Sequence, residues 1–179
     1  MTERRVWGLL SPNSNCPDVF LHRGLLELAA EGFVVRTALG DWYANFQKWS
    51  ADTGTPEYHP HSILAVLYFH AISIYLSGIF DYRIQYNNIT TPTIVQAVVQ
   101  NHVNVILRMT QIVLKNANLA AVLLFFPLRV AGARVTTARE TELICAMLAE
   151  ISLRGFVVAN AFTADLKSLW RRKEIRPVQ

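Results

Sequence analysis

Apolar positions along this chain recur with the spacing of helices, and no stretch shows the alternation of a strand. Between Asp18 and Gly40 they recur every three or four residues, behind an aspartate that can cap a helix. Asp41 begins a second, short helix in this interpretation. Residues 50–60 contain one glycine, two prolines and mostly polar side chains, so they predict a loop.

The segment from residue 62 to residue 80 is the most apolar part of the chain. It has no formal charge when His70 is neutral, and as a helix it spans about 28 Å, close to the thickness of a bilayer core. His70, Ser73 and Ser77 share one face, however, and would place a polar seam in lipid. We therefore expect a buried core helix and no membrane span.

A second loop, residues 81–92, ends in a Thr-Thr-Pro sequence that is typical of a helix start. The helix that follows runs from about Pro92 to Lys115 in this prediction, with its apolar and polar residues on opposite faces. Asn118 then caps a very apolar segment, which Pro127 should kink or end.

Helix boundaries are most clearly marked near the carboxyl end. Thr137 and Glu140 have the spacing of a capping box, and Gly155 is placed to end the helix they open. A last helix runs from Phe156 to about Trp170.

The whole pattern predicts an all-α fold, a single domain of about six to seven helices with a buried apolar central hairpin. Its predicted regions are the amino-terminal helices and loop at 1–59, a central region at 60–170 and a basic tail at 171–179.

Composition adds an excess of apolar residues and a charge asymmetry. Hydrophobic residues make up 52% of the chain and charged residues 17%, whereas about a quarter of the residues of a typical globular chain are charged. Either the core is large, or apolar surface faces a ligand, a partner or lipid. The net charge of +4 comes entirely from residues 119–179, and most of it from the tail. A basic tail can contact nucleic acid, although a solvated chain end is the simpler interpretation.

No metal, nucleotide or hydrolase motif occurs in the sequence, so we expect no cofactor. Two cysteines, Cys16 and Cys145, are too few for a disulfide framework or a structural zinc site, and they are typical of a reducing compartment. His59 and His61 flank a proline that prevents a helical metal-binding pair. The first residues lack the sustained apolar run of a secretory signal. We therefore expect an intracellular location, cytoplasmic or nuclear.

Two histidines lie within predicted apolar helices. His70 shares its face with two serines, and His102 lies beside Val105, Ile106 and Met109. Each can act as an acid, a base or a hydrogen-bond donor in an apolar pocket. Each can equally be a core histidine that is bonded to a backbone carbonyl.

An arginine is a further candidate for a polar group that contacts a ligand. Arg129 follows the apolar segment that contains Pro127, where a guanidinium can hold a ligand carboxylate or carbonyl. The alternative is an ion pair with Glu140, Glu142 or Asp165.

Three blocks follow one another as LSGIFDYR (76–83), FFPLRVAGAR (125–134) and RGFVVANAFTADL (154–166). In their order and spacing, residues 60–170 resemble the fungal-specific transcription factor domain, the carboxyl-terminal regulatory region of Zn₂Cys₆ zinc-cluster proteins. The resemblance implies an all-helical fold around an apolar cavity that can hold small molecules. Family members also carry a six-cysteine zinc cluster that reads DNA. This chain has two cysteines, so we expect no sequence-specific DNA binding.

A regulatory domain without a DNA reader has two expected uses. The first is an enzyme of fungal secondary metabolism that performs a cofactor-free cyclisation, of the Diels–Alder or another pericyclic type, or an isomerisation on an apolar terpenoid- or polyketide-like substrate. The alternative is a non-enzymatic regulator or effector-binding domain, and a homodimer is compatible with either use. For the enzyme, we predict His70 as the catalytic donor. The predicted substrate-binding residues are Arg36, Tyr75, His102 and Arg129.

Overall fold

A computed structural model describes residues 18–54, 59–116 and 121–174 of the chain. Within these ranges the backbone forms six α-helices and two short 3₁₀ turns, and no strand. The all-α prediction is therefore confirmed, with about the expected number of helices. The helices are α1 (Asp18–Asp52), α2 (Pro60–Asp81), α3 (Gln96–Asn116), α4 (Phe125–Gly132), α5 (Ala138–Leu153) and α6 (Ala159–Glu174).

Contacts divide the chain into two compact units. Of the described residues, the first unit comprises 18–48 together with 75–94, and the second comprises 49–54, 59–74, 95–116 and 121–174. Each unit is described by itself below. The single-domain prediction and its three regions stay predictions.

The first unit has a small apolar core that joins α1 to the end of α2. Leu25 and Ala29 of α1 pack with Leu76 and Phe80 of α2 and with Tyr86, which closes the 3₁₀ turn Ile84–Tyr86. These side chains are all buried, so removal of their apolar surface from water stabilises the unit.

Helix α1 corrects the prediction of two helices separated at Gly40 and Asp41. It runs unbroken from Asp18 to Asp52, about 52 Å at the rise of an α-helix. Gly40 is exposed, its φ is not positive, and a side chain there would meet open space. An exposed helical glycine costs at most about 1 kcal/mol, which is too little to end a helix that its neighbours favour.

The second unit has its core among α3, α4, α5 and α6. Helix α4 contacts α3, α5 and α6, and α5 also contacts α3 and α6. The largest fully buried side chains of this unit are Ile63, Leu67, Ile74, Val99, Val103, Ile106, Leu124, Leu128, Ile144, Leu148 and Ile151.

Two prolines correct the predicted helix boundaries. Helix α3 begins at Gln96 and not at Pro92, which is buried in the connecting segment. Pro127 neither kinks nor ends a helix, because it lies in the first turn of α4, where its missing N–H has no helical partner to lose. The predicted cap at Asn118 lies outside the described residues.

Both ends of α5 confirm the sequence prediction. The Thr137 side chain accepts from the backbone N–H of Glu140, and the Glu140 carboxylate accepts from the backbone N–H of Thr137. At the other end, Gly155 has a φ of 97°, a left-handed conformation that favours glycine. The last helix, α6, begins later than predicted, at Ala159 rather than Phe156, and continues to Glu174.

Helix α2 has the length and composition of a membrane-spanning helix. It is the one such helix among the described residues, and half of its most apolar 18-residue window is buried against other parts of the chain. Core helices of globular proteins have the same composition, so this likeness is weak evidence for a membrane span.

Two glycines of α1 give a matched test of the first unit. A Cβ at Gly32 would lie 2.7 Å from both Phe80 Cζ and Pro92 Cγ, and both neighbours are buried, whereas a Cβ at Gly40 meets nothing within 4 Å. We expect Gly32→Ala to lower the free energy of unfolding by about 1–3 kcal/mol through overpacking. Gly40→Ala should raise it by roughly 0.5–1 kcal/mol. Urea unfolding of the two variants measures both effects, and equal effects would contradict the packing around Gly32.

Candidate functional site

A pair of histidines from two helices meets inside the second unit. His70 lies on α2 and His102 on α3, and their Nδ1 atoms are 2.5 Å apart. The ring centroids are 4.8 Å apart and the ring planes are inclined at 57°. The separation is that of a strong hydrogen bond, so the two rings form one chemical unit, the histidine pair.

The hydrogen bond sets the protonation of both rings. One Nδ1 must carry a hydrogen and donate it, and the other must accept it through its lone pair. In a neutral pair the donor ring therefore has a bare Nε2, and the acceptor ring has Nε2–H. The pair as a whole holds two protons and has room for one more.

The surroundings of the pair disfavour a positive charge. His70 is only 8% exposed, and the Phe69 ring meets both imidazoles edge-on, at centroid distances of 5.1 and 6.1 Å. Burial, more than any other cause, together with the nearby His102 and Arg108, lowers the pKa of His70 to about 4. His70 is therefore uncharged at neutral pH.

An uncharged His70 that is hydrogen-bonded to a second imidazole is suited to acid–base chemistry. One ring can take up a proton while the other gives one up, since they share the hydrogen bond between them. The alternative from the sequence, a core histidine bonded to a backbone carbonyl, stays open beside this bond, because the contact with His102 engages only one nitrogen of the His70 ring.

The other predicted site residues lie elsewhere. Arg129 Nη1 is 2.8 Å from Asp165 Oδ2, and both side chains are exposed, so Arg129 forms the ion pair that the sequence offered as the alternative. The guanidinium also lies 5.7 Å from the Phe162 ring centroid. In the first unit, the Arg36 Nε–H donates to the Pro92 carbonyl at 2.6 Å. Tyr75 belongs to the same unit and is 42% exposed. The roles predicted for these three residues stay predictions.

A metal centre finds no support in the described ranges. His59 and His61 lie near each other, with ring centroids 5.3 Å apart, but no group of three histidine, cysteine, aspartate or glutamate side chains in these ranges could hold one ion.

The basic tail begins inside a helix. Its first three residues, Arg171, Arg172 and Lys173, belong to the last turn of α6, a favourable place for positive charge. Residues 175–179 lie outside the described ranges.

Two features were missed by reasoning from the sequence. Arg108 belongs to the polar face of the helix predicted from Pro92 to Lys115, although its charge acts on His70. Tyr86 was placed in a loop, although it is buried in the core of the first unit. No periodic signal marks a residue in a three-residue turn, so only the fold itself could reveal its burial.

No family model, curated protein or solved structure matches this chain.

The lowered pKa of His70 predicts an acid-sensitive fold. An unfolded histidine takes up its proton near pH 6.5, whereas His70 takes it up near pH 4, so between these values the unfolded state binds more protons. Stability should be greatest above pH 6.5 and should fall as the pH drops towards 4, with His70 contributing about 3 kcal/mol to this loss.

Urea unfolding between pH 4 and 7.5 measures this dependence. His70→Asn should flatten the slope, whatever it does to the stability at pH 7. His61→Asn, at an exposed position, should leave the slope as in the wild type. Equal slopes for the wild type and His70→Asn would contradict the prediction.

Proposed function

We propose that this chain is a cofactor-independent enzyme that isomerises or cyclises an apolar, terpenoid- or polyketide-like small molecule at the histidine pair. The observation that supports the proposal is the convergence of His102 on a buried, uncharged His70 in one hydrogen-bonded pair beside the Phe69 ring. The resemblance of residues 60–170 to a fungal regulatory domain, itself a proposal, adds the expectation of a small-molecule ligand.

The pair is suited to both proposed reactions. An isomerisation needs a base that removes a proton from carbon and an acid that returns one elsewhere, and a neutral imidazole pair offers both groups. A pericyclic cyclisation needs a preorganised donor on a carbonyl that activates the substrate, and the N–H of one ring is such a donor. In either reaction His70 is the proposed catalytic group, with His102 as its partner.

Loss of the pair should abolish conversion while the fold is kept. The gene is disrupted in the organism of origin, and the metabolite that accumulates is purified and incubated with the full-length protein. Wild type should convert it, whereas His70→Asn should lose roughly two to four orders of magnitude in rate, as expected when a general acid or base is removed. Circular dichroism checks the fold.

His61→Asn is the matched control and should keep wild-type activity, because this histidine is exposed. Three results would each contradict the proposal: no metabolite accumulates, the wild type leaves the metabolite unchanged, or His70→Asn converts it at the wild-type rate.

A second candidate function is a non-enzymatic regulator that binds through α1. Val34, Val35, Ala38, Trp42 and Asn45 form one exposed face of this helix, the α1 stripe, with Val34 69%, Val35 46% and Trp42 45% exposed. Four of these positions, 35, 38, 42 and 45, are spaced by three or four residues, as in the seam of a coiled coil. Exposed apolar faces of this kind mark sites of protein interaction.

The proposed occupant of the α1 stripe is a second copy of this helix, running antiparallel. In the proposed register, Trp42 of each helix lies opposite Ala38 of the other copy, and Val35 lies opposite Asn45. The two-fold symmetry repeats each contact, so each large indole packs against a small alanine side chain. No charged side chain belongs to the stripe, so pairing buries no ion. The interface would be small and the dimer correspondingly weak.

A charge in the stripe should therefore separate the dimer. We expect the full-length protein to approach a dimer as its concentration rises in sedimentation equilibrium, and Trp42→Glu to stay monomeric over the same range. Gln47→Glu adds the same charge on the opposite side of α1, at an exposed position, and should dimerise as the wild type does. A wild type that is monomeric throughout, or a Trp42→Glu variant that dimerises normally, would contradict pairing through the α1 stripe.

A further inference from the structure

The Tyr86 hydroxyl is the most unusual polar group of the first unit. Tyr86 is 4% exposed, and its ring meets the Phe80 ring edge-on at a centroid distance of 5.0 Å. Its neighbours in the core are leucine, alanine, isoleucine and phenylalanine side chains. The hydroxyl oxygen is buried and has no hydrogen-bond partner among the residues that the structure describes.

A buried hydroxyl without a partner costs free energy, because it has lost its hydrogen bonds to water and gained none. Phenylalanine would fill nearly the same volume at this position without that cost. The apolar packing of Tyr86 therefore explains its ring but not its hydroxyl. A group from outside the chain can supply the missing hydrogen bond.

The charges near this hydroxyl indicate the kind of group. Burial raises the pKa of Tyr86, and the positive charge of Arg83, three residues earlier, opposes that rise, so this guanidinium acts on the phenol. The Nη1 atom of Arg83 is itself buried. Elsewhere in this unit, the carboxylate of Asp81 raises the pKa of Arg36, although burial lowers it more. A phenol O–H beside a guanidinium is a donor set for an anion.

We infer that the first unit binds the carboxylate of a small apolar molecule, which accepts a hydrogen bond from the Tyr86 hydroxyl and pairs with Arg83. The apolar part of the ligand would lie against side chains of the core around Tyr86, such as Leu76 and Ile79. Tyr86 and Arg83 both belong to the first unit, whereas the histidine pair belongs to the second.

A carboxylate fits this site better than a phosphate. A phosphate carries up to two charges and more acceptor oxygens, and it needs several donors. Here a single phenol and a single nearby guanidinium act together in mostly apolar surroundings. One negative charge on an apolar body matches that set.

Calorimetric titration of the full-length protein with octanoate tests the inference, with 1-octanol as the uncharged probe of the same length. Octanoate should bind at least tenfold more tightly than octanol. Tyr86→Phe and Arg83→Gln should each weaken octanoate binding by about tenfold, the size expected for one lost hydrogen bond to a charged group. Tyr82→Phe, at an exposed tyrosine four residues earlier, should bind octanoate as the wild type does.

Unfolding without ligand is the second arm of the test. If the hydroxyl lacks a partner, Tyr86→Phe should have a urea midpoint equal to or higher than that of the wild type. A lower midpoint would show that the hydroxyl already has a partner in the fold, such as a buried water, and would overturn the inference. Equal binding of octanoate and octanol, or unchanged octanoate binding by Tyr86→Phe, would overturn it as well.

Discussion

The hydrogen bond between the Nδ1 atoms of His70 and His102 is the constraint on which the account of the second unit depends. It joins α2 to α3 through one side-chain hydrogen bond. It also couples the tautomers of the two rings and excludes the arrangement in which both Nδ1 atoms carry hydrogens. The same interaction therefore positions both rings and sets which nitrogens can donate or accept a proton.

Burial gives that interaction its chemical character. A histidine in water is partly charged near neutral pH, whereas His70 is buried and stays neutral until the solution is strongly acidic. The same low-polarity surroundings explain why Tyr86 is unusual in the first unit, since an unpaired hydroxyl is costly only where water is absent. In both units the informative residues are polar groups that an apolar core retains, and each of them calls for a chemical explanation.

The accuracy of the sequence predictions depended on how local each signal was. The capping box at Thr137 was correct, because all its hydrogen bonds lie within four residues. The break at Gly40 was wrong, because an exposed glycine is too weak a signal to end a helix. Pro92 was misread as a helix start, since its burial against another helix cannot be seen in sequence. His70 and His102 are 32 positions apart. Each was recognised as a candidate, but their pairing is a property of the fold alone.

The hydrogen bond between the Nδ1 atoms of an uncharged His70 and His102 can be observed by ¹⁵N NMR of histidine-labelled full-length protein at pH 7, with assignments from His70→Asn and His102→Asn. We expect one Nδ1 to carry the hydrogen and the other to accept it, with a coupling between the two Nδ1 nitrogens across the hydrogen bond and with His70 uncharged. Two rings that are both protonated at Nε2, or a positively charged His70 at this pH, would contradict it.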